Sequence, residues 1–158
     1  MIHINIVCVG KIKENYLKNA ILEYSKRLSK YCKLNIIELN DEVIPDNLNE
    51  KITEQIKDIE GARIISNLKN SYIISLDLNG KQYSSEEFSN KIQNISLNNS
   101  SITFVIGGSL GLSKNVIQKS NELICFSKMT FPHQLIRVFL LEQIFRAFKI
   151  QNNEKYHR

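Results

Sequence analysis

Five short apolar runs alternate with stretches of helical periodicity, and this alternation constrains the fold more than any other feature. The runs are Ile2 to Val9, Leu34 to Leu39, Tyr72 to Leu78, Ile102 to Ile106 and Leu123 to Phe126. Between the first two, Tyr16, Leu17, Ala20, Ile21, Tyr24 and Leu28 recur at helical spacing, and Ile52, Ile56, Ile59, Ala62, Ile65 and Leu68 do so after the second. Ser84 and Glu87 form a capping box for a helix through Phe88 and Ile92. Ser113 caps a short helix through Val116 and Ile117, and His133 to Ile150 reads as one long helix. Strands that are apolar throughout are covered on both faces. The pattern therefore predicts an α/β fold: a mostly parallel sheet with helices on both faces.

The 158 residues suit a single domain over 1–158 with its own core. Pro45 and Pro132 are the only prolines, and neither lies in a linker-like stretch. No apolar run approaches the roughly 20 residues that span a bilayer, so no membrane association is expected. The start, MIHINIVCVG, reads as a strand rather than a signal peptide. Cys8, Cys32 and Cys125 are widely spaced and form no CxxC pair. This spacing argues against a disulfide framework and against a cysteine zinc site. His3, His133 and His157 form no metal cluster by spacing, so no metal is expected. Nothing in these features places the chain outside the cytoplasm, and a cytoplasmic location is expected.

The net charge of +5 is unevenly spread. Lys11 to Lys33 holds seven basic and two acidic residues, whereas Glu38 to Glu60 holds eight acidic and two basic ones. His133 to Arg158 is basic again, five to two. Two basic segments flanking an acidic middle fit a fold with one face toward an anion such as RNA. The last helix is apolar around most of its circumference. Gln134, Glu142, Arg146 and Lys149 share a rough polar stripe, with Arg137 and Gln143 outside it. Such a helix needs cover on two sides. The sheet supplies one side, and a second subunit is the simplest source of the other.

Ligand sites of parallel sheets lie beyond the carboxyl ends of the strands. Three segments converge there: Asp77-Leu78-Asn79-Gly80, read as a turn; Ile106-Gly107-Gly108-Ser109-Leu110-Gly111; and Phe126 to His133. Glycines let backbone approach a ligand closely, yet tight strand–helix turns use them anyway. The glycine segment is neither GxGxxG nor a P-loop. The aromatic and Met side chains of residues 126–131 could line a flat ring such as adenine, or could simply fill the core. The tail Tyr156-His157-Arg158 combines a ring with basic groups, which suits stacking on an unpaired base.

These segments, in order, resemble the RlmH family, small SPOUT-class enzymes that methylate N3 of a pseudouridine in bacterial 23S rRNA. The matching positions are Gly10-Lys11, Leu76-Asp77 with Gly80-Lys81, Ile106-Gly107-Gly108 with Gly111-Leu112, and Thr130-Phe131-Pro132-His133. Arg137-Val138, Glu142-Gln143, Arg146-Ala147 and Tyr156-His157-Arg158 complete the set. The resemblance runs from the first strand to the last residue. It implies a homodimer, a C-terminal trefoil knot and a SAM (S-adenosylmethionine) pocket at Leu76, Gly107, Phe126, Ser127, Lys128, Met129, Thr130 and Phe131. It also implies a substrate in helix 69 of the assembled ribosome rather than in free rRNA. The base nitrogen must lose a proton, and His133, Arg137, His157 and Arg158 are the candidates to assist, the tail residues from either subunit. Lys11, Lys13, Tyr156, His157 and Arg158 are the candidate RNA contacts. The competing readings are a non-enzymatic RNA-binding module on the same fold and a generic nucleotide-binding α/β enzyme. The second lacks a phosphate-binding motif, and SAM binding separates the first.

Overall fold

A computed structural model describes residues 1–158. Five strands, β1 (Ile2–Val9), β2 (Cys32–Leu39), β3 (Tyr72–Lys81), β4 (Ser101–Ile106) and β5 (Glu122–Ile124), form one sheet in the order β2-β1-β4-β3-β5. Every pairing is parallel. The helices are α1 (Asn15–Leu28), α2 (Glu50–Ser66), α3 (Ser85–Asn98), α4 (Lys114–Lys119) and α5 (His133–Gln151). The α/β fold expected from the alternation is present.

Alternation within the strands assigns the two faces. Ile4, Ile6 and Cys8 of β1, with Ile102, Phe104 and Ile106 of β4, pack in the larger core with α1, α3 and α5. Val7, Val9 and Val105 turn the other way, onto Ile64 of α2 and Val116 of α4. Because both faces are covered, the central strands are mostly apolar on both sides, with Asn5 of β1 and Thr103 of β4 bonded to each other as the buried polar pair.

The helix starts follow local chemistry. Ser84 accepts from Glu87 N while the Glu87 carboxylate accepts from Ser84 N, a complete capping box. The Ser113 hydroxyl accepts from Val116 N at the start of α4. Asn49 does the same for α2 through Ile52 N.

Some expectations are corrected. β2 begins at Cys32, two residues before the apolar run, and β5 ends at Ile124 rather than Phe126. The apolar face expected for α2 is shifted. Ile59 and Ala62 are exposed, and the buried row is Ile56, Glu60, Gly61 and Ile64. Gly61 is needed there, since a Cβ would lie 2.3 Å from Ser113 Oγ. Asn79-Gly80 does not end β3 as a turn. The strand continues through it with a register shift, so that Ile124 pairs with Leu76 on one side and Lys81 on the other. Gly80 is required by proximity, not by a positive φ: a Cβ would lie 2.5–2.7 Å from the backbone of Ile124.

Helix α5 is flanked by α1 and α3 of the same chain. Phe148 stacks on Tyr31 with centroids 5.6 Å apart, and Phe145 meets Tyr24, Tyr31 and Tyr156 edge-on at 5.0–6.4 Å. Each such pair adds about 0.5–1.5 kcal/mol beyond area burial. The chain itself thus provides much of the cover that the sequence reading assigned to a second subunit. Phe139 stays exposed at 38%, in an edge-on pair with Phe131 at 5.4 Å.

Candidate active site

All strands being parallel, their carboxyl ends share one edge, and a cleft of about 800 Å³ opens there. Its walls are the bent end of β3 (residues 76–79), the loop after β4 (residues 107–112) and the segment leading into α5.

The loop after β4 is held tight by its own backbone. Gly111 N donates to Gly108 O at 3.1 Å, with Gly111 at φ +92°. That conformation favours glycine. A Cβ at Gly107 would lie 2.8 Å from Leu112 Cδ2. Opposite, Ser127 Oγ accepts from Met129 N at 3.0 Å and Ser127 O accepts from the Cys125 thiol at 3.0 Å, which shapes the turn before α5. Of the eight positions expected to hold the cofactor, Leu76, Gly107, Phe126, Ser127, Met129, Thr130 and Phe131 line this cleft. Lys128 sits in the same loop but is exposed and outside the lining.

His133 opens α5 on the cleft wall. Burial holds its pKa below the ordinary histidine value, and the nearby Arg137 cation lowers it further, against a raising contribution from Asp41. The ring is therefore biased toward neutral at physiological pH, where one nitrogen can accept a proton. Gly10 lies against it, and its φ of +94° favours glycine; a Cβ there would make only ordinary contacts, 3.5 Å from His133 Nε2 and 3.8 Å from Arg137 Nη2. Lys11 and Lys13 follow directly and are exposed at this edge.

Arg137 is only 1% exposed. It donates to Glu38 Oε2 at 2.7 Å, to Gly10 O at 2.7 Å and to Val9 O at 3.1 Å. Glu38 in turn accepts from Ile12 N at 2.8 Å. Arg137 therefore ties α5 to the carboxyl ends of β1 and β2, beneath His133, with both terminal nitrogens committed.

The tail is docked on α3 and α5 and is not brought to the cleft. Tyr156 OH donates to Glu142 Oε2 at 2.9 Å, under the Arg146 guanidinium 4.6 Å from its ring. His157 lies between Glu86 Oε1 at 2.7 Å and Arg146 Nη1 at 3.1 Å, and Arg158 is exposed. None of the three lines the cleft.

One buried group at this edge escaped the sequence reading. Glu60 of α2 lies behind Gly108, where a Cβ would sit 2.9 Å from Glu60 Oε1. The signal was the mid-helix Glu60-Gly61 pair, because glycine inside a helix marks close approach.

A family model described as "Predicted SPOUT methyltransferase" matches residues 2–157. The chain is 61% identical over 158 residues to "Ribosomal RNA large subunit methyltransferase H" of Clostridium botulinum (strain Eklund 17B / Type B), covering 99% of each. It is 58% identical to the protein of the same name from Clostridium tetani (strain Massachusetts / E88), again over 99% of both. Among solved structures it is similar to a probable methylase family protein from Haemophilus influenzae Rd KW20. That match has a TM-score of 0.52 at 16% identity and covers 98% of this chain and 70% of that one, so it speaks to the fold alone.

Proposed function

The chain belongs to the SPOUT methyltransferase family, and from that premise we propose that it methylates N3 of a pseudouridine in helix 69 of 23S rRNA, acting on the assembled ribosome. The relatives' names support a large-subunit rRNA substrate. The observation that carries the reading is the cleft itself, where a glycine cradle, an aromatic loop and a neutral-biased histidine meet at one sheet edge.

The residues present fit SAM. Leu76, Phe126 and Phe131 offer apolar surface to a purine ring, and the backbone of residues 126–130 offers donors and acceptors to its edge. Gly107 brings main chain close without a side chain in the way. When bound, SAM supplies an electrophilic methyl group, and that chemistry is the cofactor's own.

What the chain contributes is position and proton handling. The cleft walls fix the orientation in which a base nitrogen faces the donor, and such alignment can supply several kcal/mol of the barrier reduction. His133 stands where it can take the N3 proton. Arg137 acts through it, fixing the start of α5 against β1 and β2. Lys11 and Lys13 meet rRNA phosphates at the same edge. The tail residues Tyr156, His157 and Arg158 serve the RNA of the partner's site, since within one subunit they lie on α3 and α5. A homodimer is supported by exposed Phe131 and Phe139, which leave an apolar patch beside the cleft. A trefoil knot in the C-terminal part of the chain belongs to the same reading. A single domain and a cytoplasmic location complete the reading; no helix is long and apolar enough to cross a membrane.

The test incubates purified protein and methyl-labelled SAM with ribosomes from cells lacking the endogenous activity, beside free 23S rRNA. Label in the ribosome alone, mapped to a pseudouridine in helix 69, is expected. Label elsewhere, or none despite SAM binding, rejects the substrate.

A further inference from the structure

Behind the loop after β4 lies a second, much smaller recess of about 20 Å³. It shares Gly108, Ser109, Leu110 and His133 with the cleft, so these four residues border both. Its remaining surface combines the acidic Asp41, Glu42 and Glu60 with Ile44 and Ile56.

Glu60 is the unusual member. It is 4% exposed, and its Oε2 accepts from Glu42 N at 3.0 Å. Its Oε1 is buried and has no hydrogen-bond partner. A buried carboxylate oxygen without a donor is costly, and native structures seldom leave one so. Burial, with Asp41 and Glu42 adding like charge, disfavours the ionised form. The one guanidinium at hand, Arg63, is already engaged by the Glu42 carboxylate and by Asn40 O. No donor reaches Glu60 Oε1, and the nearby guanidinium is committed elsewhere.

Size and arrangement narrow the ligand. The volume holds about one water-sized group. The three carboxylates do not converge as metal ligands would. A neutral water satisfies the orphaned oxygen but does not offset the repulsion among the three carboxyl groups. A primary ammonium does both, and Gly108, Ser109, Leu110 and His133 mark where a ligand in the cleft comes nearest to the recess.

Resting on the cofactor reading above, we propose that Glu60, with Asp41 and Glu42, forms a subsite for the α-ammonium of the cofactor's amino-acid end, anchoring it at the back of the glycine loop. The adenine then occupies the aromatic loop while the amino acid reaches toward α2, and the sulfonium is held between two fixed points beside His133. On this view the acidic middle of the sequence takes part in ligand recognition and is not merely a solvated face.

Calorimetric titration of the full chain with two probes tests this. S-adenosylhomocysteine carries the amino-acid end, and methylthioadenosine lacks it. The expected result is that Glu60→Gln, which keeps the shape and the Glu42 contact, weakens S-adenosylhomocysteine about tenfold or more, the scale of one charge-assisted hydrogen bond. Methylthioadenosine affinity should stay unchanged. Asp41→Asn, at an exposed position that cannot disturb folding, should give a smaller loss with the same selectivity. If Asp41→Asn is silent and Glu60→Gln weakens both probes alike or neither, the subsite is refuted and the recess holds only water. If wild-type protein binds neither probe, the cofactor reading fails as well, a result distinct from the loss of selectivity.

Discussion

Replacing Gly80 by alanine probes the geometry that builds the cleft. The added methyl would lie 2.5 Å from the Ile124 carbonyl carbon, 2.6 Å from its nitrogen and 2.7 Å from its Cα. These are backbone atoms of β5, so no side-chain rotation relieves the contact. Insertion of a methyl group against such a neighbour costs about 1–3 kcal/mol. We take the upper end because a strand must move. Gly80 does not have positive φ, so alanine adopts the native backbone freely and regains about 1 kcal/mol from the unfolded chain. The net loss is about 2 kcal/mol, or a fall of roughly 4–8 °C in Tm for a domain of this size. Displacing Ile124 also displaces the segment after it, which lines the cleft, so S-adenosylhomocysteine binding should weaken with stability. Thermal unfolding by circular dichroism and calorimetric titration measure the two effects. A melting point within about 2 °C of wild type, with unchanged binding, would refute the close packing of β3 on β5.

Three further outcomes are expected. Arg137→Met removes donors from the Val9 and Gly10 carbonyls and from Glu38; the loss is about 2–4 kcal/mol by urea unfolding, moderated because Glu38 is 37% exposed and water can reach it. His133, held below the ordinary value of 6.5, binds a proton more weakly folded than unfolded. Acidification from about pH 6.5 downward should therefore destabilise wild type more than His133→Gln, while the acid limb of single-turnover methyl transfer lies below pH 6.5 and vanishes with the histidine. Substituting both Lys11 and Lys13 with alanine should reduce the slope of log affinity for ribosomes against log salt by about 1.5, whereas an unchanged slope removes both from the RNA surface.

The sequence made the central fold legible because covered parallel strands leave an unmistakable apolar trace, as in Ile4-Asn5-Ile6-Val7-Cys8-Val9. Capping chemistry was equally local, and Ser84 and Ser113 do what their spacing predicts. The cleft lining was legible through the convergence of strand ends and through family resemblance. What escaped was non-local. Asn79-Gly80 has the composition of a turn, yet glycine is needed there because Ile124, far along the chain, passes against it. Ile59 and Glu60 exchange their expected environments because α4 and the loop after β4 press on α2 from one side. The docking of Tyr156 and His157 depends on Glu142, Arg146 and Glu86 meeting in space, which spacing alone does not reveal.

The strand order has a consequence for synthesis. Two sheet neighbours, β1 with β2 and β3 with β4, are also successive strands in the chain. On its other side, β1 must wait for β4: Asn5 meets Thr103, 98 residues later. At ~5–20 residues per second a ribosome takes about 5–20 s to make that stretch. For that interval the most apolar strand of the molecule has an open edge and no α5 above it. The nascent chain of an enzyme proposed to modify ribosomes thus spends its most aggregation-prone seconds still attached to one.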